Sequence, residues 1–138
     1  TIRTSPDMLT ETFKILIMNA VEAIRHRDEG RTKGGDLWIE SRLYDQTTAQ
    51  VLIRDNGIGI RPENMNSIFE MRWPSRETGT GFGLFWTKYY IEGLGGTIKA
   101  ESVWQEGTTF FIHLPVSQAD ESFSYPEENL KGNLNNGC

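Results

Sequence analysis

The sequence predicts an α/β (α+β) two-layer sandwich, with about three helices on one face of a mixed, mostly antiparallel sheet. Three observations carry that expectation. The elements read in the order helix, two strands, helix, loop, helix, two strands. Each strand pair is joined by a short turn, and each long helix carries one apolar face that needs a sheet to lie against. A chain of 138 residues is also one domain by length, with room for a single core.

Ser5-Pro6 opens the first helix, Ser5 as N-cap and Pro6 at the first helical position. Leu9, Phe13, Leu16, Ile17, Ala20, Val21 and Ile24 then recur at the spacing of one buried face, to about Arg27. Asp28–Asp36, with three glycines, is a loop. Leu37, Ile39, Ser41 and Leu43 alternate with Trp38, Glu40, Arg42 and Tyr44 as a strand; Asp45–Thr48 turns, and Gln50–Arg54 returns. Arg61-Pro62-Glu63 opens a short helix to about Phe69, and Glu70–Gly83 is a polar, glycine-rich loop. A second long helix begins near Gly83, with Leu84, Tyr90 or Ile91, and Leu94 inward, and stops at Gly95-Gly96. Thr97–Ser102 and Thr108–Leu114 form a hairpin, and Pro115 closes the unit. The expected division is a domain over 1–116 and a polar, acidic, disordered tail over 117–138.

Composition narrows the function. Hydrophobic content of 37% with 24% charged residues is that of an ordinary globular chain. The net charge of −5 argues against a large basic face, so neither nucleic acid nor a membrane surface is an expected partner. A polyanion can still bind through local devices such as backbone N–H groups, a metal ion or one or two arginines. Cys138 is the single cysteine, which leaves no internal disulfide and no cysteine zinc site. No apolar run approaches a membrane span, and a cytoplasmic setting is expected.

Three segments carry candidate chemistry. Asn19 lies mid-helix in an apolar stretch, where its amide oxygen can ligate Mg²⁺ at a cleft rim or can belong to an ordinary surface asparagine. Asp55-Asn56-Gly57-Ile58-Gly59-Ile60 holds a turn signal with a second glycine that a turn does not need. Gly57 and Gly59 would let the backbone approach a flat ligand, and Asp55 would accept from an exocyclic amine, which favours adenine over guanine. Gly79-Thr80-Gly81-Phe82-Gly83-Leu84 runs into a helix and offers consecutive N–H groups to phosphate oxygens. It is neither a Walker A loop nor a dinucleotide fingerprint. Arg72 and Arg76 beside it either neutralise phosphate or are solvated loop residues. Gly107-Thr108-Thr109-Phe110 reads locally as a hairpin glycine and a strand, and His26 and His113 have no recognisable metal or triad partners.

In order and spacing these segments resemble the GHKL ATPase superfamily, with its Bergerat ATP-binding fold, over residues 5–116. Within it the chain looks most like the catalytic ATP-binding domain of sensor histidine kinases. The resemblance implies that Asn19, in the N box, is the Mg²⁺ ligand and that Asp55, in the G1 box, contacts the adenine amine. It implies that Gly57, Gly59 and Ile60 line the base, that Ser67–Trp73 is the F box, and that Gly79, Thr80, Gly81, Phe82, Gly83 and Leu84 surround the phosphates. Arg76 would stand for the usual lid lysine, and Thr108 for the last-strand threonine that reaches the base. The implied cofactors are ATP and Mg²⁺. The implied partners are a helical phosphoacceptor/dimerisation domain of the same parent protein and a downstream response regulator, with the chain as the cytosolic part of a sensor.

Departures from the family accompany the match. Ile15 stands where relatives carry a polar residue four before the asparagine, which argues against a hydrolase using that residue as general base. Glu22 replaces a frequent lysine, and Phe82 a leucine. A stand-alone serine kinase of anti-sigma type and a degenerate, non-catalytic ATP-binding module are the alternative readings. The substrate histidine is expected outside this chain, which should be nearly inert alone.

Overall fold

The computed structural model describes residues 6–27, 34–71 and 83–116. Helix α1 spans Pro6–Arg27, strands β1 and β2 span Leu37–Leu43 and Thr48–Asp55, helix α2 spans Gly83–Gly93, and β3 and β4 span Thr97–Val103 and Gly107–Pro115. The order and approximate limits follow the expected reading. Ser5, the expected N-cap, residues 28–33, residues 72–82 of the glycine-rich loop and residues 117–138 lie outside the described residues.

The strands form one sheet in the order β1-β2-β4-β3, and every pairing is antiparallel. A mixed sheet was expected, and among the described residues no parallel pair exists. The physical reason is the position of β4. Strands β2 and β3 run the same way, but β4 inserts between them and takes the hydrogen bonds of both. The third helix expected over Arg61–Phe69 is instead a single 3₁₀ turn, Pro62–Asn64, followed by further i→i+3 turns such as Ser67 N–H to the Asn64 carbonyl at 2.9 Å. Those tight turns let Ile68 sink into the core, 1% exposed.

The core lies between the helices and one sheet face. Leu16 of α1 and Ile91 of α2 pack with Ile53, Ile98, Phe110, Ile112 and Leu114, all inward on their strands. Cross-strand register aligns these residues, Ile53 opposite Phe110 and Ile112 opposite Ile98, so one apolar face forms without slippage. Of the two inward options read for α2, Ile91 is the buried one and Tyr90 stays half-buried. Helix α2 ends in a Schellman pair, Gly96 N–H to the Ile91 carbonyl and Gly95 N–H to the Glu92 carbonyl, both 2.9 Å. Strand β1 departs from the expected half-buried pattern. It is the sheet edge, the helices sit over β2 and β3, and Ile39 and Leu43 remain exposed.

Candidate functional site

One face of α1 organises the site. Ile15, Asn19 and Ala23 are spaced four residues apart, so they stack on one side of the helix about 6 Å apart along its axis. At the first of them, a side chain on Gly83 would meet Ile15 Cγ2 at 3.0 Å, which places the start of α2 there. At the last, a side chain on Gly57 would collide with the Ala23 backbone and Cβ, and Ile58 N–H donates to the Ala23 carbonyl at 2.9 Å. Asn19 therefore sits midway along α1 between the glycine that opens α2 and the turn that follows β2. Its Nδ2 is buried with no hydrogen-bond partner. A buried amide without a partner costs roughly 1–3 kcal/mol, so this position is poorly explained by folding alone.

The Asp55–Ile60 segment is not a hairpin turn. The carboxylate of Asp55, 4% exposed, accepts Gly57 N–H at 2.8 Å and bends the chain away from the sheet. Gly59 adopts φ +74°, and a side chain there would strike the Val103 carbonyl of the neighbouring hairpin. Ile58 then accepts Gln105 N–H from that hairpin. Thr108 lies directly across from Asp55 in the β2–β4 register and is equally buried, so both polar side chains stand on the helix-facing side of the sheet. Ile60 and Leu84 pack against the edge of the core. The structure thus brings Asp55, Gly57, Gly59, Ile60 and Thr108 together beside the Ala23 turn of α1, with Asn19 one turn back along the helix and Gly83, which leads into Leu84, a further turn away against Ile15. Arg76, Gly79, Thr80, Gly81 and Phe82 lie outside the described residues.

Three contributors escaped the sequence reading. Ser102 Oγ accepts Ile60 N–H at 2.8 Å and lies 2.9 Å from both the Gly107 carbonyl and Thr108 Oγ1. Its signal was a hydroxyl at the same inward parity as Ile98 and Ala100. Arg27 donates from Nη1 to the Asn56 carbonyl and, at 3.4 Å, to the Glu106 carbonyl, joining the turn to the hairpin. The Asn56 side chain accepts Asp36 N–H at 2.8 Å and donates to the Asp36 carboxylate at 3.2 Å. Neither of the last two pairings leaves a periodic signature. The expected F-box segment is anchored where it is described: Ile68 is core, and Phe69 meets Phe110 edge-on with ring centroids 6.5 Å apart. His113, on the opposite sheet face, is held by Gln50 Nε2 at 3.1 Å and by the Tyr44 ring. No helix among the described residues is long and apolar enough to cross a membrane.

Known proteins are similar to this chain in sequence and fold. A family described as histidine kinase-, DNA gyrase B-, and HSP90-like ATPase matches residues 4–118. Sensor histidine kinase ZraS of Salmonella typhi is 34% identical over 115 residues, 83% of this chain and 23% of that protein. Sporulation kinase E of Bacillus subtilis is 31% identical over 116 residues, 84% of this chain and 15% of that protein. Sensor protein kinase WalK of Staphylococcus haemolyticus is 34% identical over 124 residues, 84% and 19% respectively. This chain therefore spans less than a quarter of the length of these relatives. Among solved structures, the catalytic domain of histidine kinase ThkA superposes with a TM-score of 0.64 at 26% identity, covering 79% of this chain and 66% of that one. The mycobacterial sensor histidine kinase MprB shares the fold with a TM-score of 0.72 at 22% identity, over 86% of this chain and 78% of that one. The chain belongs to the histidine kinase-, DNA gyrase B- and HSP90-like ATPase family, as an ATP-binding domain of the sensor-histidine-kinase type.

Proposed function

We propose that this domain binds Mg·ATP beneath α1 and donates the γ-phosphate to a histidine on a separate helical phosphoacceptor domain of the same parent protein. That domain would in turn supply a response regulator. The observation that carries the reading is the buried Nδ2 atom of Asn19, which has no hydrogen-bond partner and is set between Gly57 and Gly83. A triphosphate and its metal are the ligands that answer it. Which amide atom is nitrogen and which oxygen is an assignment, so the same side chain suits a phosphate oxygen or, turned over, a hard cation.

The remaining residues take roles consistent with that ligand. Asp55, fixed by Gly57 N–H, accepts the exocyclic amine of adenine, with Thr108 beside it. Gly57 and Gly59 keep the backbone thin where the base lies, and Ile60 supplies an apolar side. Gly79, Thr80, Gly81, Phe82, Gly83 and Leu84 hold the phosphates with N–H groups and the α2 N-terminus, with Arg76 adding positive charge. Asn19 would hold Mg²⁺, which supplies charge neutralisation on the phosphates. Phosphoryl transfer is mostly positioning and electrostatics, so a site with Ile15 in place of an internal base suits it. The domain extends over 1–116, in a cytoplasmic location, and the acceptor histidine comes from outside it.

The reading rests on nucleotide binding by the chain alone, and calorimetric titration tests it. Wild type should bind Mg·ATP, and Asp55→Ala should abolish binding. Asp55→Asn keeps an oxygen for Gly57 N–H but can place a donor against the adenine amine, and should bind about tenfold or more weakly. Unchanged affinity in both variants would refute the adenine assignment.

A further inference from the structure

The hydroxyl pair beside Asp55 has one proton arrangement that satisfies every contact of Ser102 Oγ. Ser102 Oγ has one proton and two lone pairs. Ile60 N–H, 2.8 Å away, can only donate to it, and the Gly107 carbonyl, 2.9 Å away, can only accept from it. The single Ser102 proton therefore goes to Gly107. Thr108 Oγ1, 2.9 Å from the same oxygen, completes the set by giving its own proton to Ser102, the arrangement that satisfies all three contacts of Ser102 Oγ at once. What Thr108 retains on its other side is lone pairs. Register places Ser102, Thr108 and Asp55 in one row across β3, β4 and β2, so this hydroxyl acceptor stands next to the Asp55 carboxylate.

We infer that Ser102 is a positioning residue for base selection: it takes the Thr108 proton and so turns Thr108 into an acceptor. The inference rests on the ATP-binding reading and deepens it. Two adjacent acceptors, Asp55 and Thr108, suit a purine edge carrying a 6-amino group and oppose one carrying a 6-oxo group. This holds whether Thr108 meets the base directly or through a water whose orientation it sets. The discrimination does not reside in Asp55 alone. Without the Ser102 hydroxyl, Thr108 can rotate its proton outward and satisfy a 6-oxo purine.

The experiment is calorimetric binding of ATP and of ITP, which differ at the 6-position, by the whole chain and its Ser102 variants. Wild type should prefer ATP. Ser102→Ala should narrow the ATP-to-ITP affinity ratio by about tenfold, the scale of one hydrogen bond changing sign. Ser102→Thr, which keeps a hydroxyl and suits a strand, should restore the ratio. In a Thr108→Val background, Ser102→Ala should leave the ratio where Thr108→Val alone puts it. A purely structural serine would lower both affinities in proportion and leave the ratio unchanged; that result overturns the inference. It also falls if the ratio narrows equally with and without the Thr108 hydroxyl. A wild-type chain that binds neither nucleotide overturns the ATP reading and this inference together, whereas ATP preference with an insensitive ratio removes this inference alone.

Discussion

Asn19 shows how a single residue separates folding from function. Its neighbours along α1, Leu16 and Ala20, are fully explained by burial, at 0% and 2% exposure. Its Nδ2 atom is not, because burying that donor without a partner opposes folding. Replacing it with alanine removes that penalty, so Asn19→Ala should raise stability by about 1 kcal/mol in urea unfolding without ligand. The same change should remove the Mg²⁺-dependent part of ATP affinity while leaving affinity in excess chelator nearly unaltered. A variant equally responsive to Mg²⁺ would show that the metal is held elsewhere. Asn19, Asp55 and the paired glycines stood out as candidates in the sequence because their residue types are at odds with their surroundings, though Asn19 alone also fitted an ordinary surface asparagine. Ser102 did not, because a serine on a strand is unremarkable until its three polar neighbours are known.

Elements inherit their placement from both periodic and non-periodic contacts. The limits of α1, α2, β3 and β4 could be read from spacing, since inward residues recur at helical or alternate positions and the Gly95-Gly96 stop is local. The edge status of β1 could not, because Leu37, Ile39 and Leu43 alternate just as a covered strand would. The short helix after Pro62 failed for a related reason: its apolar pair, Ile68 and Phe69, is served by tight turns as well as by a helix. The end of α1 is tied by Arg27, whose guanidinium joins the Asn56 and Glu106 carbonyls. Arg27→Met keeps the aliphatic packing and removes both bonds. Hydrogen bonds from a charged group run to about 1.5–3 kcal/mol, and one of these is long and exposed, so a loss of about 1–2 kcal/mol is expected. Urea unfolding of Arg27→Met against wild type measures it, with Arg27→Lys expected in between. ATP should bind more weakly to Arg27→Met as well, because the clasp fixes the turn that carries Gly57. Wild-type stability and affinity together would show that the turn is held by Ala23 and Asp55 alone.

At the scale of the whole molecule, the described residues up to Val116 supply both layers. The buried cluster is supplied by α1, α2, the Ile68 segment and the sheet, and the final strand contact is Val116 N–H to the Thr47 carbonyl at 2.8 Å. The turn after β2 meets α1 at Ala23 and the β3–β4 hairpin at Gln105, and Asn19 lies one helical turn before Ala23. Residues 117–138 carry four acidic groups, Asp120, Glu121, Glu127 and Glu128, against Lys131, and would repel a triphosphate more than attract it. A chain cut after residue 118 keeps the Val116 bond and should retain the ATP dissociation constant and thermal midpoint of the full chain. The cut sits two residues beyond that bond, so chain-end effects should not reach the core. The same truncated chain, mixed with a helical phosphoacceptor domain from its parent protein and labelled ATP, should phosphorylate a histidine there as fast as the full chain does. His113 lies on the sheet face away from the helices with Gln50 Nε2 3.1 Å from its Nε2, so no label should build up on His113. A truncated chain that binds ATP at full strength but transfers far more slowly would assign the tail to docking the phosphoacceptor. One that loses binding would show instead that residues beyond 118 complete the ATP site.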